Sequence, residues 1–105
     1  MSIYIIARFK IHDRESYDKY DEAFFGVFEK FDGKLLSVDE EPLVLSGAFD
    51  FTRSVLIEFP GQAAAMAWAS SPAYLAIAKY REDGSTGAAI MVKSFDGALP
   101  GKSEG

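Results

Sequence analysis

With 105 residues, the chain has room for one domain and not two; its 49% hydrophobic content, including nine Phe, five Tyr and one Trp, is ample for a single core and slightly rich for so small a body, which hints at a second buried surface. Eleven basic residues face sixteen acidic ones, for a net charge of −5, which argues against general nucleic-acid binding and against docking on an anionic membrane. There is no Cys, and this excludes disulfides, thiolate metal sites and Cys nucleophiles together.

The first eight residues, Met1 to Arg8, are apolar over too short a stretch for a signal peptide and lack a basic leader. No apolar run reaches the ~18 residues that a membrane span needs. A cytoplasmic protein is expected.

Residues 3–9 are β-branched and aromatic and read as a strand. Asp13 is placed to cap a helix over 14–31, in which Tyr17, Tyr20, Phe24, Phe28 and Phe31 fall on one face. Asp32-Gly33 ends that helix, with Gly33 suited to a left-handed C-cap. A second strand over 34–38 is interrupted by Asp39, Glu40, Glu41 and Pro42. Leu43-Val44-Leu45 suggests an extra strand or an arm, and 47–52 a turn region. A third strand over 53–59 stops at Pro60-Gly61. An Ala-rich helix over 62–69 is broken at Ser70-Ser71-Pro72, because Pro72 disfavours helical geometry at Ser71. A further helix starts at Pro72 and ends near Arg81 or Glu82; 84–87 reads as loop and 88–92 as the last strand. The domain is expected to span 1–95, with the Gly-, Pro- and Ser-rich residues 96–105 as a loose tail.

The order β-α-β-β-α-β predicts an α+β, ferredoxin-like split sheet of four antiparallel strands, spatially fourth, first, third, second, with the helices on one face. Strand alternation assigns Tyr4, Ile6, Leu56 and Met91 to the helix-free face, with Arg8, Glu58 and Lys93 inside or at the ends of a paired-sheet barrel. A face left in water reads more polar than this, so pairing with a second copy is expected, as a homodimer with a two-fold interface.

Glu58-Phe59-Pro60, then Ala64 and Trp68, then Ser71-Pro72-Ala73-Tyr74, then Arg81, resemble the signature of the small proteins grouped as domain of unknown function 1330. Asp13 with Tyr17 and Tyr20, and Asp32-Gly33-Lys34-Leu35, resemble that family's opening helix and its helix-to-strand turn, so the resemblance covers the chain to about Phe95. Members usually carry an acidic residue before the Gly that follows the second strand; here Ser46 precedes Gly47, and a role that needs a carboxylate there is in question. The resemblance implies a dimeric α+β barrel. It implies no reaction.

The topology is expected to gather His12, Tyr17, Tyr20, Arg53, Tyr80 and Arg81 around one end of the sheet, with Arg8 approaching from the helix-free face. Three residues are candidates for catalysis. His12, the only His, reads as a general base or as an exposed loop residue beside Asp13. Glu58 reads as a partly buried proton acceptor or as a salt-bridge partner. Arg81 shares with Arg53 a second reading, that of a bidentate carboxylate clamp, against pairing with nearby acids such as Asp39, Glu40, Asp50, Glu82 or Asp83. The ligand-binding candidates are Tyr17, Tyr20, Arg53, Trp68, Tyr74 and Arg81; their plainer reading is core packing with wet tips, or, for Trp68, space filling beside small Ala neighbours. With one His and no Cys, no metal and no cofactor is expected. Three functions stand side by side: a protein that binds a small apolar or aromatic molecule between sheet and helices, a non-enzymatic dimeric module without a ligand, and a cofactor-free monooxygenase- or isomerase-like enzyme. The first requires a cavity and the second a filled interior.

Overall fold

The computed structural model of the protein describes residues 2–95, so the tail expected over 96–105 lies outside the described residues. The elements in chain order are β1 (Ile3–Ile11), α1 (Arg14–Phe28), β2 (Lys34–Asp39), β3 (Arg53–Phe59), α2 (Gln62–Ala69), α3 (Pro72–Gly84) and β4 (Ser85–Lys93). The four strands form one antiparallel sheet in the order β2-β3-β1-β4, the ferredoxin-like α+β arrangement that the sequence order predicts. Ile3, Ile5, Ala7 and Phe9 of β1 are buried beneath the helices, in line with the two-residue period of a strand. Tyr17, Tyr20 and Phe28 of α1, Trp68 of α2, and Tyr74 and Ala78 of α3 meet them, together with Ile57 and Phe59 of β3.

Four sequence-level expectations change, and at Leu43-Val44-Leu45 one of two alternatives falls away. Helix α1 ends at Phe28 and not at Phe31; its chain tightens through Lys30 N–H to Val27 O (3.2 Å) and Phe31 N–H to Phe28 O (3.0 Å). Gly33 is not a left-handed cap, since Gly47 is the one residue with positive φ among those described. What position 33 demands is room: a Cβ there would stand 2.6 to 2.7 Å from the rings of Phe28 and Phe59.

The loop expected over 84–87 is absent, because α3 runs to Gly84 and β4 begins at the next residue. Gly84 O accepts the N–H groups of His12 (3.0 Å) and Asp13 (3.1 Å), and a Cβ at 84 would meet Tyr17 N at 2.7 Å. The backbones touch here, which removes the space a loop would use and lets β4 pair with β1 out to Ile11. Leu43-Val44-Leu45 forms no strand, and all three side chains are exposed.

The last change is one of register. Met91 pairs with Ile5 and Lys93 with Ile3, so both belong to the helix side of the sheet, and Ile90 and Val92 take the helix-free face opposite Ile6 and Tyr4. A one-residue offset exchanges the two faces of a strand, and only the partner strand sets that offset.

Candidate functional site

Helix α1 is started by Asp13, whose Oδ1 accepts the Ser16 N–H at 3.3 Å, and its period then turns Tyr17, Tyr20, Asp21 and Phe24 toward the sheet. The break between α2 and α3 is built on Ser71. Its Oγ donates to Trp68 O (2.8 Å) and accepts from Tyr74 N–H (3.1 Å), with Pro72 opening α3. That link holds Trp68 and Tyr74 together, their ring centroids 4.4 Å apart. Ser70 Oγ donates to Met66 O (2.6 Å), so both serines act as local caps. On the sheet, β2 carries a bulge between Leu35 and Ser37. The extra residue, Leu36, allows Leu35 and Val38 to face the same side, which strict alternation would forbid.

These elements enclose a partly open cavity of about 780 Å³ between the sheet and the helices. Its walls are mainly apolar: Ile5, Ala7, Phe9, Val55, Ile57 and Met91 from the sheet, with Phe24, Trp68 and Leu75 among those from the helices. Tyr17, Tyr20, Arg53, Trp68, Tyr74 and Arg81 all line it, so the structure brings these six sequence candidates to one place.

The polar groups of the wall differ in how they are satisfied. Tyr20 and Tyr74 share a buried hydroxyl–hydroxyl hydrogen bond of 2.9 Å. Burial, and then the neighbouring Tyr74 hydroxyl, drive the Tyr20 phenol far above its ordinary pKa. Burial also pushes Tyr17 up to about 12, although the Arg53 guanidinium opposes the shift. Both phenols are therefore neutral near pH 7 and act through hydrogen bonds and ring faces.

Arg53 is almost fully buried, with its Cζ 5.3 Å from the centre of the Tyr17 ring. Its Nη2 donates to Asp21 Oδ1 at 2.9 Å and its Nη1 donates to Glu40. Asp21 is raised above the usual carboxylate range, because its desolvation outweighs the attraction of Arg53. Among the described residues Arg81 has no such partners. Its Cζ lies 5.2 Å from the ring centre of Phe9 and 5.9 Å from that of Tyr20, and its nearest carboxylate is Glu82 at 3.7 Å, beyond hydrogen-bonding distance. Among the described residues, the Nε atoms of both Arg53 and Arg81 and the indole Nε1 of Trp68 are enclosed and without a hydrogen-bond partner.

The other candidates lie elsewhere. His12 is exposed at the end of β1, engaged by its backbone N–H to Gly84 O. Glu58 pairs with Tyr4 and Lys34 in register, on the helix-free side of the sheet and away from the cavity. Arg8 is also on that side, with its guanidinium 5.7 Å from the Phe51 ring centre. Tyr80 does not line the cavity; its carbonyl accepts the Ser16 hydroxyl at 3.1 Å, and Lys19 and Lys79 lie over its ring. Asp21 was not singled out by sequence reasoning. The available signal was its position four residues after Tyr17, on the aromatic face of α1. Among the described residues no group of three or more His, Asp or Glu is placed to hold a metal ion, and no helix is long and apolar enough to cross a membrane.

The profile of a family described as Domain of unknown function (DUF1330) matches residues 2–95. No curated protein matches the chain in sequence. Among solved structures, RPA0582 from Rhodopseudomonas palustris, a protein of unknown function, superposes with a TM-score of 0.75 at 21% identity, covering 90% of this chain and 83% of that one. SnoaB, a cofactor-independent oxygenase from Streptomyces nogalater, superposes at 0.65 with 15% identity over 94% and 97% of the two chains. A dimeric protein of unknown function with a ferredoxin-like fold from Bacteroides fragilis superposes at 0.59 with 14% identity over 89% and 96%. At these identities the likeness shows the fold.

Proposed function

The chain belongs to this family of unknown function, and from that premise we propose that it is a homodimeric protein whose cavity binds a small apolar or aromatic molecule. The observation that carries the reading is the cavity itself. It is partly open, about 780 Å³ in volume, and flanked by aromatic and aliphatic side chains that a small molecule can pack against. Its size, its apolar walls and its few polar groups are those of a small-molecule site.

Native mass spectrometry of protein purified gently from cells tests the reading. A reproducible extra mass on the dimer is the expected result. A cavity that stays empty in cell-purified protein, and a melting temperature that no small aromatic compound raises, would count against it.

The second copy is proposed to sit on the helix-free face. Tyr4, Ile6, Leu56, Ile90 and Val92 share that face, and Ile90 is half-exposed in the single chain. The Bacteroides fragilis relative, described as dimeric, has the same fold. Light scattering should give twice the chain mass for the wild type, and Leu56→Lys should reduce it to one chain. A monomeric wild type would remove this part of the proposal.

A further inference from the structure

Two arginines line the cavity, and the structure accounts for one of them. Arg53 holds two carboxylates, Asp21 and Glu40, so its charge is met within the chain. The guanidinium of Arg81 makes no hydrogen bond among the described residues, and its one ion-pair contact, to the exposed Glu82, is 3.7 Å long. Only 21% of its side chain is exposed. A guanidinium so far withdrawn from water ordinarily has a hydrogen-bonded anion beside it.

The position of Arg81 in the last turn of α3 favours a cation through the helix dipole. The dipole alone is served equally by a side chain extended into water. Arg81 instead lies across Phe9 and Tyr20 at the cavity wall. The two rings stabilise the cation in part. With Nε enclosed, the terminal Nη1 and Nη2 edge is what remains to receive a partner. Next along the wall, Tyr20 and Tyr74 share one hydrogen bond between two hydroxyls, which leaves one O–H proton uncommitted.

We infer that the molecule held in this cavity is an aromatic or apolar carboxylate, and that Arg81 receives its carboxylate end-on while the aromatic wall holds its body. The inference rests on the reading of the cavity as a small-molecule site and narrows its ligand class. A carboxylate matches a single guanidinium edge in charge and shape. Among the described residues, the wall offers one cation without a close counter-charge, which matches a monoanion better than a dianionic phosphate ester.

The experiment compares each acid with its own primary amide, which keeps the shape and removes the charge. Benzoate, 2-naphthoate and anthracene-2-carboxylate are titrated calorimetrically against their amides, at pH 7, into wild type, Arg81→Gln and Arg81→Lys. For at least one pair the wild type should prefer the acid by ~10-fold or more. Arg81→Gln should bring that ratio to about 1 by weakening the acid far more than the amide, and Arg81→Lys should retain part of the preference. Intact far-UV circular dichroism confirms that each variant is folded, and the wild-type ratio is decisive even where a variant is not. Equal affinity for acid and amide in the wild type overturns the carboxylate inference and leaves the cavity reading standing. A preference that survives Arg81→Gln overturns the role of Arg81. No binding by any of the six compounds overturns the cavity reading and this inference together.

Discussion

Arg53 and Arg81 stand on the same cavity and solve the burial of a guanidinium in opposite ways. Arg53 opens β3, where α1 offers Asp21 and the chain after β2 offers Glu40, and it ties both to the sheet. Arg81 closes α3 and has aromatic faces in place of carboxylates. One cation is part of the scaffold, and the other is left available. Residue type does not separate the two roles; the number of counter-charges within reach does.

The comparison is sharpest in unfolding free energy. Arg53→Leu should cost about 2 kcal/mol in urea denaturation, because it leaves the part-buried Asp21 carboxylate without its partner. Arg81→Leu should change stability by less than about 1 kcal/mol, since it strands no buried anion. Equal losses would break the contrast. Double-mutant cycles sharpen it further: the coupling of Arg53 to Asp21 should be about 1 kcal/mol, and that of Arg81 to Glu82 should be close to zero.

The titration of the surrounding groups offers smaller effects. Tyr17 has a folded pKa of about 12 against an ordinary 10.0. Between those values the folded chain keeps a proton that the unfolded chain releases, so stability falls as pH rises through that window. Tyr17→Phe should flatten this alkaline loss, measured as urea midpoint against pH. Asp21 is also raised, from an ordinary 3.8. The folded state again binds the extra proton, so the contribution of Asp21 to stability grows as pH falls toward 3.8 through its folded value. The stability difference between wild type and Asp21→Asn should shift in favour of the wild type over that acid window. The opposite slope would mean that Arg53 dominates desolvation at Asp21.

Much of the site was legible because helical periodicity and family-like motifs mark residues that share a face. Tyr17, Tyr20, Trp68, Tyr74, Arg53 and Arg81 were each nameable from the sequence, and all six line the cavity. His12 and Glu58 were nameable too, on chemical grounds, and both lie away from it. Strand alternation alone already put Glu58 on the helix-free face, away from a cavity between sheet and helices, and its register opposite Tyr4 agrees. Asp21 went unmarked because an acid on an amphipathic helix reads as a solvent-facing residue, even when it follows an aromatic stripe by one position.

The sequence by itself determined the element order and the inward faces of α1 and β1, which follow from local periods of 3.6 and 2 that each segment carries alone, and the order in turn pointed to the antiparallel strand arrangement. Only the tertiary structure decided the rest. The register of β4 against β1 moved Met91 to the helix side and Ile90 to the other, because a strand's offset is a property of the pair. The demand for glycine at 33 and 84 came from the rings of Phe28 and Phe59 and from the backbone at Asp13 and Tyr17, atoms distant in the chain or in another element. The pairing of Arg53 and the isolation of Arg81 depended on which carboxylates folding brought within hydrogen-bonding distance, a quantity that exists only once the sheet and helices are packed.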